Sequence, residues 1–353
     1  MALRRSRSKV VKTRPAAVFA ALAILLIVAV ILGICIGAVP IRLQDVLRLG
    51  ARSLGLQSVP APEATAAVII SQLRLPRVIA ALLVGCALAV CGVVMQGLFR
   101  NPMASPEILG VSAGGSLGAV VAITTGLAAV SQLLLPLLTI AGAFVSTALI
   151  YSLSSSRGTT SLFFIVIAGM AISALCGGVT SGLLLFARQY EVSQYVFWTM
   201  GGLDGRTWQH VLYSAPVLLP GVAVLGLFSR ELNLLSFGEE GAHALGVPVE
   251  GVKRLLLAVS AVVTGVAISV SGPVGFIGLL VPHLLRMLMG PDHRRLLPAA
   301  ALGGGMFLAA CDLIGRAIAP PFEIRVGIIT AILGSPYLLS LVVRTQRRSS
   351  GAR

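Results

Sequence analysis

RELNLLSFGEEGAHALGVPVEGVKR, Arg230 to Arg254, is the longest stretch away from the termini that has no uninterrupted apolar run. It carries both signs of charge, with Glu231, Glu239, Glu240 and Glu250 beside Arg230, Lys253 and Arg254. Such a segment faces water, and it divides the chain. About five apolar spans fit before it and about five after it, at the roughly 20 residues a helix needs to cross a bilayer. Within it the residues predict two short helices joined near Gly238, with Gly246 as a C-terminal stop and Pro248 forbidding continuation. Leu232, Leu234, Leu235 and Phe237 supply an apolar face that a solvated linker does not need. A protein partner does.

Composition fixes the class. Of 353 residues, 57% are hydrophobic and 11% charged, with a mean hydropathy of +0.97, where a soluble domain carries roughly 25% charged residues. The chain is therefore expected to be an all-α polytopic membrane protein, because backbone groups in lipid must be satisfied internally and the long apolar runs lack the period-2 alternation of a barrel. The net charge of +15 is spread between spans and gathered at the termini. It reads as topology signal and contact with anionic membrane lipid, not as a nucleic-acid surface. Five cysteines, an odd number without metal-ligand spacing, sit in apolar runs as small packing residues.

Residues 1–15 form a basic N-terminus, and the apolar run 16–39 after it is too long for a cleaved signal, so it reads as an uncleaved first span. Residues 41–73 make a mixed, proline-containing outer segment. Further spans are expected at 78–98, 108–125, 133–153, 162–187 and 209–228. Beyond the cytoplasmic segment 230–250 come 255–270, 274–289, 296–318 and 326–343. Residues 16–343 are thus expected to be a single domain of about ten transmembrane helices, and 344–353 a basic C-terminus on the same side as the first. The internal loops show no charge bias, so an orientation with both termini cytoplasmic rests on the ends. Five spans per half is an odd number, so two five-helix halves of one fold would be inverted relative to each other, as transporters often are.

The most specific writing is LRLPRVIAALLVGCALAVCGVVMQGLFRNPMASPEILGVSAGGSLGA, Leu73 to Ala119. Gly85, Ala89 and Gly92, and then Gly110, Gly114 and Gly118, are small-residue stripes that let helices approach closely. Asn101-Pro102 and Ser105-Pro106 break the backbone between spans. Gln96 is too polar for lipid and should face the bundle or a wet translocation path. Asp312 and Arg316 are spaced i,i+4 and should pair. His283 sits near a span end, where packing outweighs metal ligation, and no histidine set has ligand spacing.

These residues resemble a known family. GxxLAxxGxxxQ followed by RNPxAxPxxLGxxxG is similar to the FecCD-type permease subunits of bacterial ABC importers for iron-siderophores, haem and cobalamin. The likeness continues at Trp198-Thr-Met-Gly-Gly-Leu, at Leu232 to Ala242, at Gly272-Pro-Val-Gly-Phe-Ile-Gly-Leu-Leu-Val-Pro-His, at Glu323 to Ala331 and at Gly334-Ser-Pro-Tyr. Gly241, Arg325 and Tyr337 depart from the usual pattern. The resemblance implies a homodimeric permease, a second copy of the chain enclosing a path, with two ATPase subunits on the cytoplasmic side and a substrate-binding protein on the other. ATP and magnesium would then be held by the partner, and none of the three lysines here completes a G-x-x-x-x-G-K-[ST] loop. By the same resemblance Leu232, Leu235, Phe237, Glu239, Glu240, Ala242 and Gly246 dock on the ATPase, and Arg74, Arg77 and Arg316 meet the binding protein. Thr159 and Thr160, in the turn 154–161, lie near the cytoplasmic gate. From the residues alone the three arginines snorkel at helix ends, and the turn is only polar.

A secondary transporter would be expected to carry a mid-span carboxylate, and the acids here cluster near span ends or in loops. A membrane enzyme would need a catalytic pair or metal set, and no such motif stands in the sequence. The resemblance places the chain in the inner membrane with an iron chelate as cargo, ferric siderophore favoured on breadth of use, with haem or cobalamin as the alternative.

Overall fold

The computed structural model describes residues 14–56, 58–156, 159–319 and 322–350. Most of the basic N-terminus, the last residues of the C-terminus, and Arg157 in the polar turn lie outside the described residues. The first half runs α1 (Pro15–Cys35), α2 (Leu43–Ser53), α3 (Ala64–Val68), a π-helical turn (Ile69–Arg74), α4 (Leu75–Leu98), a 3-10 turn (Pro106–Leu109), α5 (Val111–Thr124), α6 (Leu127–Val130) and α7 (Leu134–Ser154). A two-residue hairpin, β1 (Ser155–Ser156) antiparallel to β2 (Thr159–Thr160), leads into α8 (Leu162–Leu185), α9 (Gln189–Thr199) and α10 (Trp208–Leu227). Then come α11 (Ser229–Leu235), α12 (Glu239–Ala244), α13 (Val249–Ser271), α14 (Ile277–Met289), α15 (His293–Ala317) and α16 (Val326–Ser350).

Among the described residues, seven helical stretches are long and apolar enough to cross a membrane: α1, the continuous run Ala64–Leu98, α7, α8, α10, α13 and α15. Shorter apolar helices at Val111–Thr124, Ile277–Met289 and Val326–Ser340 stand where the third, eighth and tenth spans were expected. The outer segment 41–73 is more helical than its prolines predicted. It forms α2, and its last ten residues, from Ala64, join α4 without a break.

The second and seventh stretches form the centre. α4 is buried almost along its length and packs on α10, α13, α14 and α15. Its small residues set how close those neighbours come. A Cβ on Gly85 would overlap the Gly304 carbonyl of α15, and one on Gly92 the Gly278 carbonyl of α14. At the next crossing a Cβ on Gly114 of α5 would overlap Gly142 and Ser146 of α7, and one on Gly118 the Leu138 carbonyl. Gly110 takes a left-handed φ of 64° between the 3-10 turn and α5, a conformation that costs an L side chain strain. Its carbonyl accepts the Ser146 hydroxyl at 2.9 Å.

Two buried prolines leave carbonyls that neighbouring helices satisfy. Pro282 has no N–H to give Gly278, four residues before it, and Gln96 Nε2 donates to that carbonyl at 3.3 Å and to Leu279 at 3.4 Å. Gln96 is 1% exposed, so it faces the bundle as a packing partner of α14. Likewise, in the π-helical turn Leu75 N–H bonds to Ile70, and the next rung would need an N–H from Pro76. Ser71 instead accepts from the Trp208 indole at 2.8 Å.

Candidate functional site

The polar residues sort to two ends of the bundle. At one end stand α11, α12, the β1–β2 hairpin and the α14–α15 connection. α11 and α12 form as expected around Gly238, whose φ is 101°, and α12 stops before Gly246 with φ 83°. Their apolar face does not all point outward, which corrects the expectation of a partner-facing Leu232, Leu235 and Ala242. Leu232 (0% exposed), Leu235 and Ala242 are buried in the chain's own core; burial of each such leucine stabilises the fold by roughly 1.5–3 kcal/mol, so the sequence signal was for intramolecular anchoring. Phe237 (75% exposed) and Leu245 stay on the surface with Glu240 and Gly246.

α11 is also pinned by polar contacts. Asn233 Nδ2 donates to Asp292 Oδ1 at 2.8 Å, while Asn233 Oδ1 accepts the His293 N–H at 2.9 Å. Asp292 caps α15 by accepting the Arg294 N–H at 3.1 Å. The Asn233 amide, together with that backbone N–H, holds the Asp292 carboxyl below its usual range despite some desolvation. Asn101 Oδ1 accepts the Met103 N–H at 2.9 Å in a tight turn, with Asn101 and Pro102 both exposed.

Glu239 does not project toward solvent alone. Both its carboxylate oxygens lie 3.1 Å from Lys253 Nζ, which also donates to Glu250 Oε1 at 2.9 Å and to the Thr160 carbonyl at 2.7 Å. Glu250 Oε2 in turn accepts the Thr160 N–H at 3.0 Å. Lys253 was read as one charge among several in a loop; it is 1% exposed. The signal was available: it is the single lysine outside the N-terminus, three residues after Glu250 and followed directly by Arg254 and an apolar run.

The opposite end corrects the expectation for Arg74 and Arg316. Both are buried and turned inward, so neither snorkels nor presents a free guanidinium. Arg74 donates to Ile36 and, at 2.9 Å, to Val39; Arg316 donates to Gly33 at 3.0 Å and Ile36 at 2.9 Å. The Gly33 and Ile36 carbonyls end α1, where the last turn lacks intrahelical donors and carries the negative pole of the dipole, and Val39 lies in the connection that follows. Two arginines thus cap one helix. Arg316 pairs with Asp312 at 3.1 Å as its spacing predicted, and Arg77 spans Asp312 at 2.9 Å and Glu323 at 2.8 Å. Arg325, without an expected role, pairs with Asp204 and lies 5.4 Å from the Phe197 ring centroid.

Two features escaped the sequence reading. Glu107, just after Pro106, lines a cavity of about 230 Å3 with Ser105, Ser112, Thr264 and Phe276. Phe276 itself has a left-handed φ of 70°, uncommon for a bulky residue. Among the described residues, no group of three or more His, Cys, Asp and Glu is placed to hold a metal ion.

A bundle of long apolar helices, with one charged end knitted by arginines and another built of short anchored helices, defines a polytopic helical membrane protein. The sequence profile of the FecCD transport family matches residues 25–344, and the chain belongs to that family of ABC-importer permeases. It is 46% identical over 278 residues to the cobalamin import system permease protein BtuC of Halobacterium salinarum, covering 79% of this chain and 74% of that one. The hemin transport system permease protein HmuU of Yersinia pestis is 44% identical over 289 residues, covering 79% and 84%. The Fe(3+) dicitrate transport system permease protein FecD of Escherichia coli is 41% identical over 278 residues, covering 78% and 85%. A solved structure described as an inward-facing conformation of an ABC transporter of the metal-chelate type superposes with a TM-score of 0.82 at 33% identity, over 94% of this chain and 99% of that one.

Proposed function

We propose that the chain is the membrane-spanning subunit of an importer that carries an iron chelate, with ferric siderophore as the favoured cargo, across the inner membrane by alternating access. Two copies enclose the path, each built of two inverted five-helix halves, and two ATPase subunits supply the work. Both termini and the α11–α12 end face the cytoplasm, and residues 16–343 act as one permease domain. ATP and magnesium belong to the ATPase, because no phosphate loop stands in this sequence. A substrate-binding protein meets the opposite end, where Arg77 is the least buried of the three arginines. Docking through Arg74 or Arg316 would need them to leave the α1 carbonyls.

The observation that carries the reading is the anchored helix pair at one end of a bundle matched by the family over residues 25–344. Its inner face is fixed by Leu232, Leu235 and Asn233, so Phe237, Leu245 and Glu240 are held outward on a rigid mount. An apolar side chain on a preset surface loses little entropy when it fills a partner's cleft. Phe237→Asp should therefore reduce co-purification with the tagged ATPase by about 10- to 150-fold, the equivalent of roughly 1.5–3 kcal/mol. Leu235→Asp would not report on docking, since that side chain lies inside. Undiminished co-purification of Phe237→Asp would sink the proposed contact.

Haem or cobalamin is the alternative cargo, favoured by the names of the first two relatives. Binding of ferric siderophores, hemin and cobalamin to the cognate binding protein decides between them.

A further inference from the structure

α12 has six residues and is joined to α13 by the connection 245–248 and by the Glu239–Lys253 ion pair. A helix that short has little stability of its own. What it is fastened to therefore decides what moves with it. Its first residue, Glu239, is fastened to Lys253, and the same ammonium holds Glu250 and the Thr160 carbonyl. An ammonium has three donors, and these three partners use them all. Thr160 ends β2, and its N–H is held too, by Glu250. The hairpin is the connection between α7 and α8. One buried cation therefore joins three elements, and removing one acceptor would leave a charge in the interior undercompensated, which resists opening one contact at a time.

We propose that Lys253 is a positioning residue for transport, the buried cation through which a displacement of α12 reaches the β1–β2 hairpin and so α7 and α8. This rests on the reading that α11 and α12 meet the ATPase. Glu239 then serves the permease by turning inward to Lys253. Its partner is within the chain.

The test is hydrogen exchange of the assembled permease–ATPase complex in lipid nanodiscs, with and without ATP plus vanadate. In the parent chain, nucleotide should change exchange in peptides from both α12 and the hairpin. Glu239→Ala leaves both backbone hydrogen bonds of Thr160, to Glu250 and from Lys253, in place, so resting protection of the Thr160 amide should stay while the hairpin's response to nucleotide is lost and that of α12 remains. A purely structural ion pair would not separate these two. Lys253→Met should also lower resting protection at Thr160 by about tenfold, equivalent to about 1.4 kcal/mol, and Lys253→Arg should keep the nucleotide response. If Lys253→Met does not fold, Glu239→Ala decides alone, because Glu239 is at the surface. A hairpin response in Glu239→Ala equal to the parent's overturns the proposal while the docking reading stands. A parent chain that fails to co-purify with the ATPase overturns the docking reading, and the proposal with it.

Discussion

A single side chain can be given its role by a proline elsewhere, as Gln96 shows. Its amide exists to serve the Gly278 carbonyl that Pro282 cannot. Gln96→Leu should cost about 1–3 kcal/mol, the penalty for stranding a buried acceptor. Pro282→Ala restores a backbone N–H four residues after Gly278, so the two changes together should cost less than their sum in a double-mutant cycle read by thermal unfolding in detergent. Strict additivity would refute the assignment. The sequence declared that Gln96 must avoid lipid, but not which carbonyl it answers, because that partner lies 182 residues away. Separation along the chain also hid the roles of Arg74 and Arg316. Arginines near helix ends are usually read as surface charges, and only the fold reveals that the carbonyls ending α1 stand between them.

At the scale of elements, the small-residue stripes were legible because helical spacing is local, and their partners were not. Gly114→Leu should fail, since the added atoms meet the backbone of Gly142, which cannot rotate away; overpacking of this kind costs about 1–3 kcal/mol or more. Gly177→Leu on α8, where nothing lies within 4 Å, is the control and should unfold close to the parent temperature. Equal loss in both variants would contradict the α5–α7 contact as the cause. The helix pair α11–α12 was placed correctly by Gly238 and Gly246, yet its face was misread: a pattern of leucines tells that something apolar is covered, and not whether the cover is a partner or the chain itself. Its anchor at Asp292 should depend on acid. The carboxyl sits below its ordinary value of 3.8, so its contribution is full above that value and is lost as pH falls through the lower folded one. Proteolysis at α11 should quicken only in that acid window, and quickening at neutral pH would place the anchor elsewhere. Asp292 is partly exposed, so the effect should be modest and weaken in high salt.

For the whole molecule, the apolar runs marked where the helices lie, and helices that each cross the bundle put successive connections at alternate ends. The structure agrees in its contacts: Asn233 reaches Asp292 and Lys253 reaches Thr160 at one end, while Arg77 reaches Asp312 and Glu323, and Trp208 reaches Ser71, at the other. Cargo is the part least legible, because relatives between 41% and 46% identical are named for cobalamin, hemin and ferric dicitrate. The central claim is that this chain moves its cargo on work done by another chain. The most direct measurement is uptake of a ferric siderophore, presented by its binding protein, into proteoliposomes containing this permease with and without the ATPase. The account predicts uptake only when the ATPase and ATP are both present, unaffected by collapse of proton and sodium gradients. Uptake by the permease alone along an imposed ion gradient would contradict it.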